Sequence, residues 1–498
     1  MSEADVIVVG GGGSGLAAAA EAAGLGRKVI LVEKGTSLGG STAWSVGSIS
    51  ATNTPQQRAA GIVDHPDAHF EDLEALSGAM ANRDNRALRR ILVDNITETM
   101  AWLESAGLVF VGPNPEPPHR LPRMHNVLPN SRAFPEMLGQ LCRQRGVDIR
   151  LGTLADGLMV ESGKVVGIVT RRTDANGPTG EVRARGGIVL AGGDFAANAA
   201  MKSELAGPAT VKINAVNPGA TGDAIRIARA IGAEVVNGDI VRGPIIRFVP
   251  PQRESLLRRL PPKRWLAKSL ALAQTYLPDA IKRRFAMEFL VTALGPWRGL
   301  YEAGAILVNR NGQRFADELG AAASALPEQP DGMGYIVMDA RIAAQFSAWP
   351  HFISTAPGVA YAYLADYKRN RRDIYHEAEE AGALALKLGV PEEALRRAIA
   401  ESGGSGRPAL GGGPFVALGP VKSYVIFTDG GLKVTERLEV AGADGQPIPG
   451  LYAAGSTGQG GVLLEGHGHH LGWAFVSGRI AGRNAALEIE AAISKETA

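Results

Sequence analysis

An α/β fold is predicted by three observations. An apolar run at 5–9 passes straight into the glycine-rich turn 10–15 and an alanine-rich stretch; a second apolar run at 29–32 ends on Glu33; and 451–454 again delivers a short strand into a glycine loop starting at Gly455. Strand, tight glycine turn and helix in this order open a dinucleotide-binding domain. Its return near the far end makes that domain Rossmann-like and discontinuous, with an α+β substrate or capping domain inserted between its parts. The limits read as 1–244 and 411–498 for the nucleotide-binding domain and 245–410 for the insertion.

Gly10, Gly12 and Gly15 meet the pattern G-x-G-x-x-G: one glycine makes the turn, one lets the backbone approach a pyrophosphate, one lets helix and strand pack closely. Gly13 and Ser14 fill the turn between them. A helix from Leu16 to about residue 25 then turns its free amides and its dipole toward the phosphates. Glu33 stands about 20 residues on, where the pattern wants an acid for the ribose hydroxyls. Strands at 165–170 and 187–190 follow. The second stops at Ala191, Gly192 and Gly193, the end of a strand at which open α/β sheets bind ligands. The turn 217–223 ends in Asp223 and caps a helix over 224–231.

Between 250 and 294 basic residues outnumber acidic ones, and Leu266, Leu270, Ala273 and Leu277 recur at helical spacing, widened by Trp265, Leu272 and Tyr276. Three readings stay open for this stretch: packing on its own domain, roofing a hydrophobic channel, or peripheral membrane contact through 253–289. A strand at 303–308 and helices over 373–400 complete the insertion. From Leu471 a last helix carries Ala474, Gly478 and Gly482 four apart, a flat face that lets it lie close to a sheet or a cofactor.

The 498 residues accommodate two or three domains. A formal charge of +2 gives no reason to expect nucleic acid as a partner. The lone cysteine, Cys142, excludes an intramolecular disulfide and a cysteine metal cluster, and is expected in the core. The first strand starts too early for a signal peptide, and no apolar run reaches the ~18 residues of a membrane span, so a soluble, cytoplasmic protein is expected.

Taken with Leu-Gly-Gly-Ser-Thr at 38–42, Gly-Gln-Arg-Phe-Ala-Asp-Glu at 312–318, Thr-Asp-Gly-Gly-Leu at 428–432 and Pro-Gly-Leu-Tyr-Ala-Ala-Gly at 449–455, the chain resembles the FAD-dependent fumarate reductase/succinate dehydrogenase flavoprotein superfamily. It looks nearer the 3-ketosteroid dehydrogenase branch than the dicarboxylate reductases. The resemblance covers nearly the whole chain. It implies FAD as cofactor, with Glu33 accepting from the adenosine ribose, Gly12, Gly13, Ser14, Gly15, Ser41 and Thr42 around the pyrophosphate, and Gly40 among the residues that bind the cofactor. The helix start at Leu471 and Gly472 would support the isoalloxazine, whose reduced form gains from a helix N-terminus. Gly10, Lys34, Ala155, Ala191, Gly192, Gly193, Asp223 and Gly455 complete the implied FAD-binding set. Ser41 and Thr42 stand where relatives carry a flavin-linking histidine, so FAD is expected to be non-covalent.

Departures from the family point to the subclass. The dicarboxylate reductases have a histidine where Ile426 stands, a substrate-clamping arginine that maps onto Glu465, and a proton-donating arginine that falls among the alanines of 321–323. These replacements supply no carboxylate clamp. On the ketosteroid side, Gly468 matches the glycine whose amide bonds the substrate ketone, but one catalytic tyrosine becomes Leu464 and another is lost among the same alanines. The acid–base group must then come from the polar loop 463–470. His467 or His469 is the expected carrier, with Glu465 orienting or charging it and Tyr424 as the competing phenol. His467, His469 and His470 lack an acidic or cysteine partner at metal spacing, so no metal is expected.

The function expected is FAD-dependent oxidoreduction of a carbon–carbon bond beside a carbonyl, in a largely apolar, cyclic ketone or steroid-like substrate, with an unidentified electron donor or acceptor. Two rivals are a fumarate-type dicarboxylate reductase and an FAD-fold binding protein that has lost its chemistry.

Overall fold

The computed structural model describes residues 2–174, 179–251, 256–276, 287, 291, 294–356, 360–404 and 406–496. Its organising layer is a six-stranded sheet in the spatial order Glu439–Ala441, Pro447–Ala453, Ile188–Leu190, Val6–Val9, Val29–Glu33 and Asp148–Leu151. All neighbours are parallel except the first pair. Val6, Ile7, Val8, Ile30 and Leu31 are buried, as uninterrupted apolar strands covered on both faces must be. The strand order reverses between Val6–Val9 and Ile188–Leu190, which leaves a crevice at their carboxyl ends, beside Gly10 and Ala191.

The first helix, Gly13–Gly24, starts inside the glycine turn rather than at Leu16. The closing helix, His469–Glu496, starts two residues ahead of Leu471. Its flat face is pressed against the first helix, not against a sheet. A Cβ on Gly478 would stand 2.4 Å from the Ser14 carbonyl oxygen, and one on Gly482 2.3 Å from that of Ala18. Cys142 is buried in the same core, with its thiol pushed up to about 12 by burial.

A second sheet is built around the long strand Phe415–Val425, which pairs with Asn214–Ala215, Ile245–Phe248, Gly334–Met338 and Tyr375–Ala378, while Ile306–Asn309 extends it beyond Gly334–Met338. Its separate core runs from Phe248 to Val421 and so draws on residues past 410; we retain 245–410 as the proposed limits of the insertion.

Of the stretch 253–289, residues 253–255, 277–286 and 288–289 lie outside the described residues. Within it the helix Arg264–Tyr276 packs on the small sheet of Ser48–Ser50, Met124–Leu128 and Val109–Asn114. It buries Ala267 and leaves Trp265, Leu272 and Tyr276 exposed. No helix among the described residues is long and apolar enough to cross a membrane.

Candidate functional site

The residues expected to hold a dinucleotide converge on the N-terminus of the first helix. The Glu33 carboxylate accepts from the Gly11 and Gly35 amides, both at 2.6 Å, so the acid is fixed at the end of its strand. Gly39 donates to the Gly11 carbonyl at 2.9 Å, and the Gly13 amide donates to Thr42 Oγ1 at 3.1 Å, bringing the segment of Gly40, Ser41 and Thr42 over the turn. Asn217 Nδ2 donates to Ser41 Oγ at 2.8 Å. Lys34 Nζ is bound by Asp223 Oδ2 at 2.6 Å and by Thr221. Burial would raise the Asp223 carboxyl, but hydrogen bonds from Lys34 and Thr221 bring it below its ordinary value. Ala155 is buried on Thr153–Glu161, the strand that runs beside the Asp223–Arg229 helix.

At the crevice itself a Cβ on Gly10 would collide with the Ala191 carbonyl at 2.4 Å, and one on Gly192 with Ala224 Cβ at 2.8 Å. Thr457 Oγ1 donates to the Gly193 carbonyl at 2.9 Å, and Gly455 lies so close to Ser14 that a Cβ would be 2.6 Å from its hydroxyl. In contrast, a Cβ on Gly12 or Gly40 would meet nothing nearer than 3.9 or 3.7 Å, and one on Gly193 nothing within 4 Å. Tight glycines therefore shape the walls and open ones leave room for a phosphate backbone. These residues fit FAD.

The polar loop before the closing helix is distributed differently from its sequence reading. Glu465, expected to orient a histidine, is ion-paired at 2.5 Å with Arg242. Arg242 comes from Val241–Arg242, which pairs with Phe427–Thr428, and also binds buried Asp429 at 2.7 Å; Gln459 donates to the same carboxylate. The sequence reading found no arginine near Glu465 because Arg242 is more than two hundred residues away in the chain. His467 is held instead by Glu116, whose Oε1 accepts from the His467 amide at 2.5 Å and from ring Nδ1. That hydrogen bond raises the imidazole above its ordinary value, against the opposing effect of partial burial.

His469 is sealed in the core, its Nε2 at 2.9 Å from that of His69 and its ring 5.2 Å from that of His119. Burial holds its pKa well below the usual imidazole range, so it is neutral and packed away from solvent. His470 lies with its ring 4.0 Å from that of Phe427, and burial takes its pKa down to about 4 despite the carboxylate of Asp429. Gly468 is pressed on Ile49 and Ser50, so closely that a Cβ would be 2.5 Å from the Ser50 amide nitrogen. Tyr424 is half-buried beside Ile245, with a phenol raised by burial and partly relieved by Arg247. Leu471 is half-buried and Gly472 buried, a Cβ there standing 3.2 Å from Ile96. Ile426 is 40 % exposed, and the alanines of 321–323 lie against the Phe415–Val425 strand through a hydrogen bond from Ser423 to the Ala323 carbonyl. No group of three or more metal-ligating side chains that could hold an ion occurs among the described residues.

Fold and cradle together define a dinucleotide-binding flavoprotein. The sequence profile of the FAD binding domain family matches residues 5–245 and 281–464, and the chain belongs to that family. It is an FAD-dependent oxidoreductase of the fumarate reductase/succinate dehydrogenase flavoprotein superfamily. It is 28 % identical to the NADH:fumarate oxidoreductase of Klebsiella pneumoniae over 466 residues, 91 % of this chain but only 44 % of that relative's length. In fold it is similar to the open conformation of a flavocytochrome c3 fumarate reductase, with a TM-score of 0.72 and 24 % identity over 98 % of this chain and 79 % of the other. The 3-ketosteroid Δ1-dehydrogenase of Sterolibacterium denitrificans gives 0.66 and 20 % identity, over 98 % of this chain and all of the other. Both branches of the superfamily thus share this fold.

Proposed function

We propose that the protein reduces, or in reverse forms, a carbon–carbon double bond conjugated to a carbonyl in a largely apolar, cyclic ketone or steroid-like substrate. The observation that carries this reading is the charge balance at the loop: Arg242 is already matched by Asp429 and Glu465, so it is a poor clamp for a substrate carboxylate. Ile426 and Phe427 offer apolar surface beside it.

Non-covalent FAD would be held by Glu33, by the glycines from Gly10 to Gly15, by Gly40 to Thr42 and by the turns at Gly193 and Gly455. Bound FAD supplies the two-electron step, a hydride exchanged with the substrate's β-carbon. The chain supplies the proton. His467, half-exposed and with its proton affinity raised by the Glu116 hydrogen bond, donates from its ring to the α-carbon as the double bond is lost, and recovers a proton from water. The Gly468 amide polarises the carbonyl oxygen, which accepts charge during the transfer. A raised proton affinity suits a proton donor, and so the reductive direction. His469, sealed beside His69, is a structural residue in this reading, and Tyr424 remains the competing donor.

The test is reoxidation of the anaerobically reduced holoprotein by 2-cyclohexen-1-one, by an unsaturated ketosteroid and by fumarate. The ketones are expected to reoxidise the flavin and fumarate is not. His467→Ala is expected to slow the ketone reaction by about 10²–10⁴-fold with FAD content unchanged. Rapid turnover of fumarate, or a Tyr424→Phe variant that fails while His467→Ala reacts normally, overturns the assignment.

A further inference from the structure

Glu116 lies in the loop between Asn114 and Arg123, more than three hundred residues from the histidine it holds. Its side chain is 12 % exposed, and one oxygen, Oε1, takes both the His467 amide and the His467 Nδ1. Oε2 is buried with no partner among the described residues. Gly466 turns over the same oxygen at a φ of +80°, a conformation that lets the backbone fold around the carboxylate. His467 has no other side-chain partner among the described residues, so its Nε2 is left to solvent or substrate.

We propose that Glu116 is the positioning residue of the proton-transfer site, fixing the proton on His467 Nδ1 and presenting Nε2–H as the group that is donated. The inference rests on His467 being the proton carrier. A carboxylate hydrogen-bonded to one imidazole nitrogen sets the tautomer and orients the ring. One oxygen shared between the backbone and the ring also holds the loop at the height that ring geometry requires. The groups facing this pair are few. His119 lies behind Glu116, with Asp72 and Arg123 beyond it, and Ser50 Oγ donates to the His467 carbonyl at 2.7 Å from the neighbouring strand. His119 is kept neutral by burial, so Glu116 is the charge that the His467 ring meets at contact distance.

Two measurements on Glu116→Gln test this, with Glu116→Asp as the conservative control. The first is an NMR titration of the His467 ring in histidine-labelled protein, with and without FAD. The proton affinity of His467 is expected to fall by about tenfold or more in the glutamine variant and to recover in the aspartate one. The second is the pH profile of flavin reoxidation by 2-cyclohexen-1-one, whose alkaline limb is expected to move to lower pH by the same interval, in the maximal rate rather than in the half-saturating ketone concentration. In a His467→Gln background, Glu116→Gln is expected to change the profile no further. A His467 titration that does not move in Glu116→Gln overturns the positioning role. A titration that moves while the rate profile stays fixed overturns the choice of His467 as proton carrier, and the positioning role with it.

Discussion

Asp194 follows the glycine turn at the end of Ile188–Leu190 and is sealed from water, one oxygen accepting from the Ala196 amide at 2.8 Å. Burial takes its carboxyl up to about 7, only partly opposed by that hydrogen bond, and nearby Asp429 adds to the rise. A carboxyl whose pKa is raised by folding stabilises the fold fully below its unfolded value of about 4. That contribution is lost as pH rises through about 7. Asp194→Asn keeps the acceptor and removes the titration, so the decline in stability between pH 5 and 8 should be shallower in the variant, by on the order of 2–4 kcal/mol in denaturant unfolding. An unchanged slope would place the proton elsewhere. Residues of this kind show what sequence reading misses. Glu33 was legible because a short motif fixes its distance from the glycine turn, whereas Glu116 and Arg242 belong to no motif and reach the loop only through folding.

Among elements, the contact of the closing helix with the first helix is the most constrained. Gly478 and Gly482 let the two backbones approach, and a methyl group at either would have to displace a carbonyl of the helix whose N-terminus is proposed to hold the phosphates. Gly478→Ala and Gly482→Ala are each expected to cost about 1–3 kcal/mol, as overpacking does, and to weaken FAD retention. Thermal unfolding together with the flavin absorbance of the purified variants checks both; stable, fully loaded variants would show that the helices separate easily. The four-residue spacing of small side chains was visible in the sequence. Which surface it packs on was not, since a flat face fits a helix, a sheet or a ligand equally well.

For the whole molecule, the nucleotide sheet and the second sheet each carry their own core. On the outside, the helix Arg264–Tyr276 turns Trp265, Leu272 and Tyr276 to solvent, with Arg264 and Lys268 exposed on the same helix and Arg259 and Lys263 just ahead of it. Interfacial aromatics flanked by basic residues complement an anionic lipid surface. We propose that this face docks there, as an apolar substrate would favour. Co-sedimentation of the holoprotein with phosphatidylglycerol vesicles is expected at low salt, to weaken at high salt, and to be lost in Trp265→Ser/Leu272→Ser. No binding at low salt would leave the helix as an ordinary surface.

The sequence by itself determined the α/β class and the cofactor, and it supplied the proposed cradle. Each rests on local rules: apolar runs of strand length, glycines where backbone must approach backbone, and an acid at a set distance. Its expectation that no arginine stands near the loop held only for neighbours in the chain, because folding brings Arg242 to Glu465 from more than two hundred residues away. Only the tertiary structure decided which of three neighbouring histidines faces solvent. In a loop that runs into a helix, adjacent side chains point in divergent directions, and the environment each meets is supplied by distant segments. Thus His469 meets His69 and His119 in the core, His470 meets Phe427, and His467 alone meets a carboxylate at the surface.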